Sequence, residues 1–264
     1  MSLKNYVLSL AVNGKSFFTE VDALKATGLS RVALRSALRR LKNKQEIASP
    51  LRGFFIIVPP EYHSLRALPP EQFIDDLMRH LNAPYYVSLL SAAQYYGAAH
   101  QKPQAFQVIT SKARRNIKVG RVKITFTTKS DAEQYATSQF NTPRGFVRVA
   151  TPETVALDLI TFPQKSGGIP AAFEILSDLS EHLNFENCVQ AIPHLKKAPF
   201  LQRLGYFFDH LGLEKHARLC EDELKKHAYV KKTLLDPQEG VAEAVLNARW
   251  NLIINTELET EHDT

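Results

Sequence analysis

The chain has 264 residues, 44% of them hydrophobic, and a net charge of +6, a length and composition that suit two folded domains with real cores. No apolar run nears the roughly 18 residues of a membrane span, and no N-terminal hydrophobic segment ends in a cleavage site. No membrane partner is therefore expected, and the location is expected to be cytoplasmic.

The charge is unevenly spread. Residues 1–58 hold ten Lys and Arg against three acids, whereas the remainder holds 23 against 24. The whole excess sits in the first 58 residues, where it supplies the sequence-independent attraction to phosphate that a nucleic-acid binder needs.

Leu3 to Val12 reads as a first helix and Ser16 to Phe18 as a short strand. Val21 to Thr27 is a second, short helical run, stopped by Gly28. Ser30 then has the hydroxyl of a good N-cap for SRVALRSALRRLK, Ser30 to Lys42. At about 100° per residue, Ala33, Leu34, Ala37, Leu38 and Leu41 share one arc. Arg31, Val32, Arg35, Ser36, Arg39, Arg40 and Lys42 fill the other. A helix, a tight glycine turn and a basic helix predict a helix-turn-helix whose second helix enters the major groove.

Glu46 to Ala48 reads as a strand, Ser49 to Gly53 as a turn, and Phe54 to Val58 as the returning strand. That hairpin completes a winged helix-turn-helix, with Arg52 near the wing tip in reach of a phosphate or the minor groove. The expected partner is double-stranded DNA, and the candidate contacts are Ser30, Arg31, Val32, Arg35, Ser36, Arg39, Arg40, Lys42, Lys44 and Arg52. Arg31, Arg35 and Arg39 suit guanine edges, and Val32 and Ser36 suit a thymine methyl and an adaptable hydrogen bond. Lys4, Lys15, Lys42, Lys44 and Arg52 suit phosphates. The competing reading is a helical bundle with a solvated basic face, because Arg and Lys are good helix formers.

Pro59, Pro60 and the stretch up to Pro69 break the pattern and predict a linker over 59–69, between a DNA-binding domain at 1–58 and a larger domain at 70–264. In the latter, Pro70 to Leu81 and Tyr85 to Tyr96 read as helices, with Tyr85, Tyr86, Tyr95 and Tyr96 as packing aromatics. Ala105 to Ile109 and Val122 to Phe126 have strand character. The run between them is basic, with Lys112, Arg114, Arg115, Lys118, Arg121 and Lys123 and no acid from 105 to 130. It reads as a solvated hairpin or as an accessory nucleic-acid or partner surface. Phe146 to Val149 is a further strand, and Thr151 with Pro152 marks a helix start leading through Val155 to Ile160. Ala171 to Leu183, Phe185 to Ile192, Phe200 to Leu211 and Glu214 to His227 read as helices. Trp250 to Thr256 reads as a strand before an acidic end, Glu257 to Asp263, expected to fray. The predicted class is α+β: a winged helix-turn-helix followed by a larger, mostly helical domain with a small sheet.

The sequence carries no Walker loop, no G-x-G-x-x-G and no G-x-S-x-G. A metal-dependent nuclease needs clustered carboxylates, and Val122 to Thr128 carries none. His216, Cys220 and His227, with Glu223 nearby, would line one helix face, but structural zinc sites use tighter pairs from loops, so no metal is expected. Cys188 and Cys220 are too few for a disulfide framework and read as free thiols. The chain is expected not to be an enzyme and to use no cofactor.

Three stretches, YYVSLLSAAQYYG (Tyr85 to Gly97), VRVATPETVALDLI (Val147 to Ile160) and NARWNLIINTELE (Asn247 to Glu259), follow the basic N-terminal module. In them the chain resembles the AbiEi antitoxins of bacterial type IV toxin-antitoxin and abortive-infection systems. The resemblance implies an N-terminal winged domain that binds inverted repeats upstream of the operon and represses it. It also implies a C-terminal domain that counters a nucleotidyltransferase-like toxin, with or without direct contact. The alternatives are an orphan winged-helix regulator and a non-enzymatic interaction protein.

Overall fold

The computed structural model describes residues 1–99, 103–241 and 244–258. Most of the expected acidic end, together with Glu259 of the third signature stretch, lies outside them. The class is α+β, and the chain packs as two compact units. The first comprises Met1–Val87, Gln104–Gln134 and Ser138–Val149, the second Ser88–Pro103, Tyr135–Thr137 and Ala150–Thr264.

The first unit begins with α1 (Leu3–Val12), β1 (Phe17–Thr19), α2 (Glu20–Thr27), α3 (Arg31–Asn43), β2 (Ile47–Leu51) and β3 (Phe54–Ile57). The strands form an antiparallel sheet in the order β1-β3-β2, giving the element order of a winged helix-turn-helix. Local chemistry sets each boundary. Thr19 and Asp22 cap α2 reciprocally, each side chain bonded to the other's backbone amide, which satisfies orphan donors of the first turn. Gly28 ends α2 in the left-handed region at φ +67°, where a Cβ would be strained. Leu3, Val7, Phe18, Ala23, Leu34, Leu38, Leu41, Ile47, Phe55 and Ile57 pack into one core. The other side of β3, Phe54, Ile56 and Val58, is also buried, and Phe54 lies 5.2 Å from the His80 ring.

The 59–69 segment holds a 3-10 turn at Pro60–Tyr62 and buries Ala67 and Leu68 completely. The helix expected over Pro70 to Leu81 is divided into a 3-10 turn, Pro70–Gln72, and α4, Ile74–His80. Phe73, at φ −141°, leaves helical geometry between them as its ring is buried.

A mixed sheet in the order β6-β7-β5-β4-β9-β8 follows. Its strands are β4 (Tyr85–Val87), β5 (Phe106–Thr110), β6 (Ile117–Val119), β7 (Val122–Thr128), β8 (Thr137–Thr142) and β9 (Gly145–Ala150). Two expectations are corrected here. Tyr85 to Val87 is strand, because all three side chains are buried on both faces of the sheet, an environment that favours aromatic and β-branched residues over helix formers. The strands flanking the basic run do not form a hairpin with each other: β5 and β7 pair in parallel, which demands a crossover. The hairpin is β6 with β7.

In the second unit, α5 (Leu89–Ala93) tightens into a 3-10 turn, Gln94–Tyr96, and stops at Gly97 in the left-handed region. Thr151 caps α6 (Pro152–Thr161) with Pro152 in its first turn, as its sequence predicts. The helices α7 (Ile169–Leu179), α8 (Phe185–Ala191), α9 (Ala198–His210) and α10 (Glu214–Leu224) follow. A small sheet, β10 (Thr233–Leu234), β11 (Val245–Asn247) and β12 (Leu252–Ile254), runs in the order β10-β12-β11. Trp250, expected at a strand start, lies in the turn before β12 and is 99% buried. Its indole fills the notch left by Gly205, where a Cβ would come within 2.1 Å of the ring. No helix of the described residues is long and apolar enough to cross a membrane.

Candidate nucleic-acid interface

The basic helix α3 is built from Ser30 onward. The Ser30 Oγ accepts from the Ala33 amide at 3.3 Å, so the start of the helix is held by the side chain the sequence offers. Leu34, Ala37, Leu38 and Leu41 are buried and lock the helix to the core. Arg31, Val32, Arg35, Ser36, Arg39, Arg40 and Lys42 are exposed, as the pattern predicts. Ala33, expected in the buried arc, is exposed. It lies roughly 90° from the centre of the Leu34/Ala37/Leu38/Leu41 stripe by helical geometry, at the edge of what the core covers, and adds a methyl to the open face.

None of Arg31, Arg35, Arg39 or Arg40 is ion-paired with another described residue. Four guanidiniums on one open face, without internal carboxylates, leave bidentate donors free for base edges and phosphates. Lys42 differs: its Nζ lies 5.0 Å over the Phe55 ring of β3, and partial burial lowers its pKa. Lys44 closes the helix as its C-cap and is exposed, as are Lys4 and Lys15.

The wing is tighter than the sequence suggests. Leu51 pairs with Phe54, so the turn is Arg52-Gly53 rather than Ser49 to Gly53. Ser49 and Pro50 extend β2 through a register shift, and the Ser49 Oγ donates to the carbonyls of Leu51 and Phe54 at 2.8 and 3.1 Å. Gly53 takes φ +81°, and its carbonyl accepts from the Glu20 amide at 2.9 Å. The tip is thus pinned to the start of α2 with Arg52 exposed on it.

Of the expected accessory residues, Lys112, Arg115, Lys118, Arg121 and Lys123 are exposed and Arg114 is half-buried against the Leu81 carbonyl, 3.4 Å away. The strand β6 packs beside β2, a proximity in space that no linear pattern announces.

The second unit is built differently. The first two signature stretches meet at a buried bond, where the Ser88 Oγ donates to the Asp158 carboxylate at 2.7 Å. The Tyr96 hydroxyl donates to the Ala150 carbonyl at 2.8 Å. The third stretch places Arg249 against Asp209, Glu214 and Glu221, with the Trp250 Nε1 donating to Asp209 at 2.8 Å. Gln202 donates to the Lys231, Trp250 and Asn251 carbonyls. These residues hold segments of the second unit together.

Among the described residues no group of three or more His, Cys, Asp or Glu is placed to hold a metal ion. The residues considered for one do not share a helix, since α10 ends at Leu224, ahead of His227. His216 sits between the Phe185 and Phe208 rings, at 5.5 and 5.4 Å. Cys188 and Cys220 are buried free thiols. Burial and the Glu153 carboxylate push the Cys188 thiol up to about 12, and burial lifts Cys220 well above its ordinary value. Both are protonated at neutral pH and poor ligands or nucleophiles.

No curated protein sequence matches the chain. Among solved structures, the fold is similar to the crystal structure of the RV2827C protein from Mycobacterium tuberculosis. The TM-score is 0.68 and the identity 19%, covering 97% of this chain and 90% of that one. A family model, the AbiEi antitoxin C-terminal domain, matches residues 86–210. That range contains the Ser88–Asp158 bond and both of the signature stretches it joins, save Tyr85 at the edge. Over residues 86–210, the chain is similar to the C-terminal domain of the AbiEi antitoxins.

Proposed function

We propose that this chain is a DNA-binding antitoxin that represses its own operon through residues 1–58 and counters a nucleotidyltransferase-like toxin through residues 70–264, without being an enzyme and within the cytoplasm. The observation that carries the DNA reading is the open face of α3. Its arginines are exposed and unpaired with described residues, and Arg52 stands on a pinned wing tip in the same winged arrangement. The antitoxin reading is supported by the family match over 86–210.

On a duplex, Arg31, Arg35 and Arg39 present guanidiniums to guanine edges, while Val32 and Ala33 offer methyl contact to thymine. Ser36 adds an adaptable hydrogen bond. Lys4, Lys15, Arg40, Lys44 and Arg52 set the register on phosphates. Lys42 contributes its charge from its seat on Phe55. The operator expected from the family is a pair of inverted repeats upstream of the gene.

Anisotropy titration of a duplex from the chain's own upstream DNA, against a shuffled duplex at several salt concentrations, tests the repressor half. A preference of at least about a thousandfold is expected of a specific binder, and equal affinity for the two duplexes overturns it. Co-expression with the adjacent downstream gene product tests the antitoxin half: growth rescue is expected. Toxicity that persists despite expression of this chain removes the antitoxin function and leaves the regulator.

A further inference from the structure

Within the first unit lies a cleft of about 690 Å³ that the winged reading does not use; small-molecule sites run from roughly 300 to 1,000 Å³. Its walls are α1, the turn before β1, β1 itself and α2, and they are completed from outside the winged module by Asp76 of α4 and Arg144 of the β8–β9 turn. Three cations line it. Lys15 and Lys25 are exposed, and neither is ion-paired with a described residue. Arg144 is half-buried and held in place: its Nε donates to the Gln72 Oε1 at 3.2 Å, and the Gln72 Nε2 donates to the Tyr62 hydroxyl at 2.9 Å. The terminal nitrogens of its guanidinium have no partner among the described residues.

The rest of the lining supplies apolar surface and one donor–acceptor pair. Leu10 and Phe17 are half-buried, and the Phe17 ring is fixed by stacking on Phe54 at 5.0 Å. Tyr6 is fixed edge-on against Phe18, with ring centroids 5.8 Å apart, and its hydroxyl bonds to no described residue. Burial and the Asp22 carboxylate raise its pKa, so the hydroxyl keeps its proton and can donate. Asp22 commits one carboxylate oxygen, Oδ2, to the Thr19 amide and hydroxyl at 3.1 and 2.6 Å, leaving Oδ1 to accept. The cleft's other acid, Asp76, is already engaged by Arg79 at 3.4 Å. Both carboxylates thus have partners, whereas the three cations keep their charge to offer.

We propose that this cleft binds a nucleotide and that its occupancy weakens the chain's grip on duplex DNA. Unpaired Lys and Arg recognise phosphate oxygens, the arginine through a planar fork of donors. A base lies against Leu10 and Phe17, and Tyr6 with Asp22 forms the donor and acceptor that a base edge or ribose hydroxyls require. Inorganic phosphate would leave the apolar wall and this pair unused. The regulatory half rests on the DNA-binding reading above: Lys15 is one of the cations which that reading assigns to duplex phosphates, and α2 is the first helix of the helix-turn-helix. A nucleotide on Lys15 takes that cation from the duplex, so each ligand weakens the other by the same factor whichever binds first.

Isothermal titration calorimetry of the full chain with ATP, GTP, CTP and UTP, against inorganic triphosphate and without DNA, tests the site. At least one nucleotide should bind about tenfold tighter than triphosphate, since a base packed on an aromatic side chain adds affinity that phosphate lacks. K25Q/R144Q should lose about tenfold or more of that affinity. A26W removes no charge and sets an indole in the cleft from an exposed helix position; it should abolish binding while melting near the wild-type temperature. R35A/R39A on α3 should bind the nucleotide as wild type does. No binding, triphosphate bound as tightly as every nucleotide, or K25Q/R144Q binding like wild type overturns the inference. Saturation with the tightest nucleotide should then weaken wild-type binding to its own upstream duplex by about fivefold or more and leave the duplex affinity of K25Q/R144Q unaffected; an unchanged wild-type affinity overturns the regulatory half. Wild type that shows no preference for that duplex in the absence of nucleotide removes the repressor reading and the regulatory half with it, whereas the calorimetric result decides the site by itself.

Discussion

Arg35 stands mid-helix on α3, exposed and without an ion pair to any described residue, while Lys44 caps the end of the same helix. Their positions assign them different tasks. Arg35→Ala should cost about 1–3 kcal/mol on the specific duplex and relax base preference there, whereas Lys44→Ala should weaken all duplexes alike and make the salt slope shallower by about 0.9. Titrations of both variants on matched and shuffled DNA check this, and equal losses for Arg35→Ala on both would remove it from base reading. A second residue gives a pH signature. Burial lowers the pKa of His216 from 6.5, with Glu153 pulling in the opposite direction. The unfolded chain therefore takes up the proton first. The stability this group contributes is intact above about 6.5 and is lost as the pH falls through the lowered folded value. His216→Phe keeps the ring between Phe185 and Phe208 and removes the titration. Its melting temperature should fall less steeply than that of wild type as the pH drops below 6.5, and parallel curves would contradict the assignment.

Elements show where local chemistry suffices. The boundaries of α1, α2 and α6 follow from caps and turn residues written in the sequence: Leu3 to Val12, the Gly28 stop, and Thr151 with Pro152. The amphipathic stripe of α3 was legible for the same reason, apart from Ala33 at its margin. What was not legible depends on partners distant in the chain. Tyr85 to Val87 becomes a strand because β5 and β9 receive it on either side, and the β5–β7 pairing is parallel because β6 occupies the outer edge. The α9 contact with Trp250 is of this kind too. Gly205 interrupts an otherwise ordinary helical pattern, and only the fold shows that the indole of Trp250 occupies its missing side chain. Gly205→Ala should destabilise by about 1–3 kcal/mol or more through overpacking, despite alanine's better helix propensity. Chemical denaturation would measure it, and a gain in stability would show that the indole can move aside.

The molecule as a whole separates two kinds of construction. The first unit keeps a cationic face open on α3, the wing tip and the β6–β7 hairpin, whereas the signature residues of the second unit are turned inward to bond with one another. We propose that the division into 1–58, 59–69 and 70–264 is one of function, since β3 buries both of its faces within the first unit and Ala67 and Leu68 are buried as well. The charge split between the two parts of the sequence is one ground for the proposed DNA partner; the nearness of the basic run to the wing could not be read from it. If α3 grips a specific duplex as proposed, hydroxyl-radical footprinting across the chain's own upstream DNA, with wild type and the double variant R35A/R39A, will register it. A discrete protected window is expected with wild type and its loss with the variant; protection by the variant equal to that by wild type, or none by wild type at low salt, would refute α3 as the reading helix.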